Sequence, residues 1–190
     1  RLLLETTTVN QGCVYSFVAS SFDTWTGAYL DAMLRIPTSA TGADKGCFVA
    51  LELGDAAAMA FLRADGVNLF GSPNVAKDMT GWHRVKLACQ GAETRLWVDG
   101  ALMQAAGPSY LTSDKRALFG IWAGKGYAET VWKLVQARSM WGGEALGSDA
   151  LMTIGPTDLI ITDLPPAADG SSWTTTSVSH ASEATFVLAE

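Results

Sequence analysis

Several things are scarce in this chain, and each shortage removes a class of protein. Charged residues make up only 17% of the 190. The 13 Lys and Arg are dispersed, so no clustered basic face exists to neutralise phosphates, and nucleic acid is not an expected partner. The 3 cysteines, Cys13, Cys47 and Cys89, lie far apart with no C-x-x-C spacing, which argues against a structural zinc site or a dithiol redox pair. An odd number leaves at least one thiol without an intrachain partner. Cys47 is in phase with Val49 and Leu51, and Cys89 with Val85 and Leu87, so both read as small buried hydrophobes. No apolar run approaches the roughly 20 residues needed to cross a bilayer, so no membrane insertion is expected. The opening Arg1-Leu2-Leu3-Leu4 is too short for a signal peptide and lacks a small-residue cleavage site. Because it opens on arginine, the sequence reads as a processed or excised piece. Proline is rare, 6 residues against 19 glycines, while 48% of the chain is hydrophobic. That balance belongs to a folded domain, not a disordered or collagen-like chain, and the length supports one real core.

Amphipathic helices are also missing. The dominant period is two: about eleven stretches alternate or run apolar over strand lengths. They are 2–9, 13–20, 28–37, 47–53, 57–64, 67–70, 82–90, 93–98, 102–105, 117–121 and 131–140. Asp65-Gly66 and Asp99-Gly100 permit the positive φ angles of tight hairpins, and Gln90-Gly91-Ala92 breaks a third pair. Ala56 to Ala60 is the one segment where helix propensity competes, but it is too short to hold a helix alone. Many antiparallel strands with almost no helix imply a two-sheet sandwich. Charge then divides the chain. Residues 1–138 carry all 13 Lys and Arg against 12 Asp and Glu, whereas residues 139–190 carry 7 acids and no base. The expected organisation is a sandwich over 1–142 and an acidic, Gly/Ser/Thr-rich extended tail or linker over 143–190, with a short strand near 158–164.

Residues 81–100 sharpen the expectation. Gly81-Trp82-His83-Arg84-Val85-Lys86-Leu87 enters a strand with Val85, Leu87 and Cys89 inward and Arg84, Lys86 and Gln90 towards water. Arg95-Leu96-Trp97-Val98 follows and ends in Asp99-Gly100. This W-H-x-V-x-L, then L-x-V-D-G order resembles the laminin G-like branch of the concanavalin A-like lectin/glucanase jelly rolls. Leu118-Phe119-Gly120 and Val131-Trp132-Lys133-Leu134-Val135 look like the closing strands of that family. The resemblance covers residues 1–142 and implies an all-β jelly roll. It implies little about activity, because this superfold carries lectins, adhesion modules, glycosidases, lyases and virion parts.

Catalytic candidates are thin. His83 is in phase with Val85 and reads as a satisfied core or edge histidine despite its neutral-range titration. His180 stands alone in the tail. Glycoside hydrolysis needs two converging carboxylates, which the jelly-roll glucanases would place as E-x-D-x-E. Leu51-Glu52-Leu53-Gly54-Asp55 is broken by glycine, so Glu52 reads as an outward, solvated residue. Lys125-Gly126-Tyr127 only faintly resembles the Lys-x-Gly-x-Tyr strand of jelly-roll lyases, and no Gln-x-His companion is present. There is no nucleophile elbow, phosphate loop or HExxH. A non-catalytic module is therefore expected, with a polysaccharide lyase or glycoside hydrolase as the weaker alternative.

Binding has more support. Of 7 tryptophans, Trp82, Trp97 and Trp132 fall inside strands and read as packing residues. Trp25 sits in the polar loop Phe22-Asp23-Thr24-Trp25-Thr26-Gly27. Trp122 sits in Ile121-Trp122-Ala123-Gly124-Lys125-Gly126-Tyr127, where Lys125 adds donors beside two aromatic rings. Such a loop suits a sugar, whose C–H faces stack on rings while its hydroxyls seek polar partners; plugging the sandwich rim is the plainer alternative. The candidate ligand-binding residues are Trp122, Lys125, Tyr127, Trp25 and Trp141. Calcium is the one cofactor the resemblance suggests, with Asp23, Asp44, Asp55 and Asp78 as candidate loop oxygens. The expected function is recognition of a glycan on a cell or particle surface, outside the cell. The alternative is an assembly protein, such as a phage-like fibre, spike or decoration domain, that self-associates through residues 143–190.

Overall fold

The computed structural model describes residues 2–6 and 12–140, with two short strands at 160–161 and 183–187. The described residues contain no helix and form two sheets. One comprises β1 (Leu2–Thr6), β3 (Ala28–Ser39), β8 (His83–Gln90), β9 (Glu93–Val98), β10 (Ala101–Ala106), β12 (Ala128–Ser139), β13 (Ile160–Ile161) and β14 (Glu183–Val187). The other comprises β2 (Cys13–Val18), β4 (Cys47–Leu53), β5 (Ala57–Arg63), β6 (Gly66–Leu69), β7 (Val75–Ala76) and β11 (Lys115–Ile121). The spatial orders are β10-β9-β8-β3-β12-β14-β13, with β1 also on β12, and β2-β11-β4-β5-β6-β7. Every pairing is antiparallel except β13 with β14. The chain is an all-β, two-sheet jelly-roll sandwich.

Alternation explains which face each strand buries. In β3, Ala28, Leu30, Ala32, Leu34 and Ile36 enter the core, as do Val85, Leu87 and Cys89 of β8 and Cys47, Val49 and Leu51 of β4. Trp132 is fully buried between the sheets, its ring 4.9 Å from that of Phe119, which in turn stacks on Tyr15 at 5.1 Å. The thiols of Cys47 and Cys89 are buried and unpaired with each other.

Hairpin chemistry follows the sequence in one case and departs from it in another. Asp99 and Gly100 adopt φ of 52° and 82°, the double left-handed turn that joins β9 to β10 with Val98 opposite Ala101. Between β5 and β6, Arg63 pairs with Gly66, so the loop residues are Ala64 and Asp65, neither of which has positive φ. From Ala57 on, the Ala56–Ala60 segment is strand, because Ala58 and Ala60 reach the core while Met59 and Phe61 cover the other face.

The outward face of the larger sheet corrects two expectations. Arg84 does not simply face water: it makes a forked ion pair with buried Asp31, Nη2 to Oδ2 at 2.6 Å and Nε to Oδ1 at 3.0 Å. Lys86 lies over the rings of Tyr29 and Trp97 at 5.0 and 5.4 Å. Trp82 precedes β8, partly exposed, with the Arg35 guanidinium 5.6 Å from its ring. His83 Nδ1 lies 2.7 Å from Asp99 Oδ2, a partnered histidine at a strand end. The two ends of the chain share β12: β1 pairs along Ala128–Trp132 and β14 along Leu134–Arg138. The expected boundary near 142 and most of the tail lie outside the described residues.

Candidate ligand-binding face

Strands β4 and β5 are apolar on both faces over residues 47–51 and 57–62, and this builds the site. Cys47, Val49 and Leu51 fill the core, while Phe48 and Ala50 emerge on the opposite side of the same strand. Antiparallel register then sets Phe48 opposite Phe61, and Phe61 opposite Asn68, with Phe70 just beyond β6. The result is a row of rings on the outer face of the smaller sheet: Trp122 to Phe48 at 5.5 Å, Phe48 to Phe61 at 6.3 Å and Phe61 to Phe70 at 6.2 Å. The middle rings are buried, whereas Trp122 and Phe70 are 44% and 38% exposed. Between the open ends sits Lys125, its Nζ 5.5 Å from the centroids of both Phe61 and Phe70, within cation–π range of each.

The β11–β12 loop delivers Trp122 and Lys125 together. The Lys125 amide donates to the Trp122 carbonyl at 3.1 Å, and the Lys125 carbonyl accepts from the Gly46 amide at 3.1 Å. Gly126 has φ of 94°, and a Cβ there would lie 2.5 Å from that of Ala40, so only glycine lets the loop lie this close to the neighbouring turn. Asn68 anchors the other side: its amide donates to Asp44 Oδ1 at 2.7 Å and its carbonyl accepts from Arg63 Nη1 at 2.8 Å. Arg63, fully buried, also reaches Asp65 at 3.2 Å.

At the other end of the same face lies a polar cluster. Glu52 is only 4% exposed. It accepts a 2.8 Å hydrogen bond from the Tyr110 hydroxyl and an ion-paired hydrogen bond from Arg116 Nε. Arg116 also reaches Asp114 at 2.8 Å. The expectation of a solvated Glu52 is thereby corrected. Its side chain does leave the core, but register places Arg116 directly opposite it, and Tyr110 bridges to β5 at Ala57. Burial and the Glu52 hydrogen bond push the Tyr110 hydroxyl well above the ordinary phenol range, and the Glu52 hydrogen bond holds the Arg116 guanidinium above its usual value.

The remaining candidates are dispersed. Trp25 is 89% exposed, but its loop belongs to the opposite end of the strands, where the Thr24 hydroxyl donates to Asp55 at 2.6 Å. The length of β4, about 20 Å at the usual strand rise, separates it from Trp122, so Trp25 is not a second wall of the same site. Tyr127 is partly exposed and its carbonyl accepts from the Ala40 amide at 2.8 Å; its ring makes no contact with Trp122 among the described residues. Trp141 lies outside the described residues.

The four candidate calcium aspartates are each engaged in hydrogen bonds. Asp23 accepts from the Thr26 amide at 2.7 Å, Asp44 from Asn68 and the Gly71 amide, Asp55 from Thr24, and Asp78 from the Thr80 hydroxyl at 2.7 Å. These bonds hold Asp23 and Asp78 below the usual carboxylate range. They occupy separate loops, and among the described residues no three acidic, histidine or cysteine side chains gather to hold a metal.

Phe48, Phe61 and Phe70 were not anticipated as site residues. Their signal is present: a run such as Cys47-Phe48-Val49-Ala50-Leu51 has no polar face, which marks a strand covered or apolar on both sides.

No protein-family model and no curated protein matches the sequence. Solved structures share the architecture. Caenorhabditis elegans galectin LEC-6 is 13% identical, with 64% of this chain and 90% of that one covered and a TM-score of 0.39. The carbohydrate binding module CBM66 from Bacillus subtilis is 14% identical, covering 66% of this chain and 90% of that one, at 0.41. Bacillus licheniformis β-glucanase is 12% identical, covering 67% and 78%, at 0.41. At these identities the likeness concerns fold alone. The expectation of a non-catalytic module took Glu52 for a solvated residue; that carboxylate is buried and bound to Tyr110 and Arg116, and the expectation is withdrawn.

Proposed function

We propose that the chain recognises carbohydrate through the outer face of its smaller sheet, as a surface-displayed module of the laminin G-like kind. The observation that carries this is the ring row with its ammonium: two exposed rings, Trp122 and Phe70, end a row whose middle rings stand on the sheet, and Lys125 rests on Phe61 and Phe70. Exposed rings offer stacking faces to sugar C–H groups, and an adjacent three-donor cation meets hydroxyl or carboxylate oxygens. Packing of these loop residues on the strand-borne Phe48 and Phe61 limits the entropy lost on binding.

The test is a glycan array probed with the purified chain, with and without calcium, beside Trp122→Ala. Aromatic stacking platforms lose about 1–3 kcal/mol on truncation by analogy with base stacking, so binding should fall about fivefold to a hundredfold or more while the thermal midpoint moves little, because that ring is 44% exposed. Wild-type binding by the variant overturns the site. A second reading, assembly through the tail, is favoured by the pairing of β14 with the edge of β12, an edge that another copy's strand would fit equally. A monomer by light scattering, unchanged on trimming residues 143–190, would refute it.

A further inference from the structure

Lys125 brings a positive charge to the ring row. The two arginines of this face are matched: Arg116 by Glu52 and Asp114, Arg63 by Asp65 and the Asn68 carbonyl. Lys125 enters no ion pair among the described residues. It is held instead by two aromatic rings at 5.5 Å each and by a loop pinned at Gly46 and Gly126. Ring faces steady an ammonium but accept none of its three hydrogen bonds in the way an oxygen does. Asp44, two residues before the Gly46 that pins this loop, is turned to Asn68 and the Gly71 amide. An unneutralised ammonium beside apolar rings, where water is partly excluded, attracts an anion more strongly than it would in bulk water.

We infer that the ligand is an acidic saccharide, a uronate whose carboxylate pairs with Lys125 while neighbouring rings of the sugar chain stack on Trp122 and Phe70. This rests on the carbohydrate reading and narrows it from sugars in general to anionic ones. A neutral sugar would use the rings and leave the ammonium without its counter-charge.

The experiment is titration calorimetry with oligosaccharides of galacturonate, glucuronate and mannuronate, each beside its carboxyl-reduced counterpart, which keeps linkage and ring but loses the charge. At least one acidic oligomer should bind roughly tenfold or more tighter than its neutral partner, the scale of one charge-assisted hydrogen bond. That preference should shrink as salt is raised. Lys125→Met keeps the stem over Phe61 and Phe70 and should bring the acidic and neutral forms to within about twofold; Lys125→Gln, a polar replacement, should do the same. Equal binding of acidic and neutral forms by the parent chain overturns the anionic assignment and leaves the carbohydrate reading intact. A preference that survives both substitutions overturns the role of Lys125. Binding of no acidic or neutral oligomer overturns both readings.

Discussion

Replacing Arg116 by Met asks whether the Glu52 cluster is a buried ion pair or surface decoration. Met keeps most of the aliphatic stem and deletes the guanidinium, so the loss is confined to the bonds made to Glu52 and Asp114. A hydrogen bond to a charged group contributes about 1.5–3 kcal/mol when enclosed. Here Glu52 is buried but the Arg116 head is 37% exposed, so solvent screening reduces that to about 1–2 kcal/mol. The pair with exposed Asp114 adds little. For a chain of 190 residues, each kcal/mol lowers the thermal midpoint by about 2–4 °C, which predicts a drop of roughly 2–8 °C. Urea melts of Arg116→Met, Glu52→Gln and the double variant complete the cycle. Because the two side chains touch, the double variant should be less damaged than the sum of the singles by about 1 kcal/mol. Additive losses, or an Arg116→Met midpoint equal to that of the parent, would show that Glu52 is solvated after all and that this end of the face carries no built cluster.

Two further predictions address other parts of the fold. Burial pushes the Cys47 thiol up to about 12 and also raises that of Cys89, so neither should react with maleimide at pH 8 in the native state, while all three cysteines should react in urea; native labelling of Cys47 at the rate of a free thiol would contradict its placement. Desolvation pushes the Asp99 carboxyl up, but the bonds from His83 and the Arg84 amide outweigh it and hold it below the ordinary range. Its contribution is therefore fully present above the unfolded value of about 3.9 and is lost as pH falls through the lower folded value. Asp99→Asn, which tolerates the φ of 52°, should cost stability at pH 7 and almost none near pH 2, read from urea midpoints; an equal cost at both would place the effect in the turn and not the charge.

The strands were legible because alternation is local. β4 and β9 span Cys47–Leu53 and Glu93–Val98, as their own residues imply, and the Asp99-Gly100 turn adopts the positive φ angles that only a few residue types accept. The short β7 (Val75–Ala76) was not legible, since two residues carry no period. The loop pairing of Trp122 with Lys125 was within reach for the same reason: only Ala123 and Gly124 separate them, which confines them to one turn. Trp25 shared the chemistry of that loop without its place, because nothing near Trp25 in sequence says which end of the sandwich its loop caps.

By itself the sequence determined an all-β sandwich, the inward residues of most strands and the burial of Cys47 and Cys89, all consequences of a two-residue period and turn chemistry acting over a few neighbours. Only the tertiary structure decided that Phe48, Phe61 and Phe70 join Trp122 in one row, that Lys125 rests on two of those rings, and that Glu52 is enclosed by Tyr110 and Arg116. Contacting members of these groups are up to 74 positions apart, as Phe48 and Trp122 show. Which of them meet is set by strand order and register across β11, β4, β5 and β6, and a one-residue shift in any pairing would turn the same side chains to the opposite face.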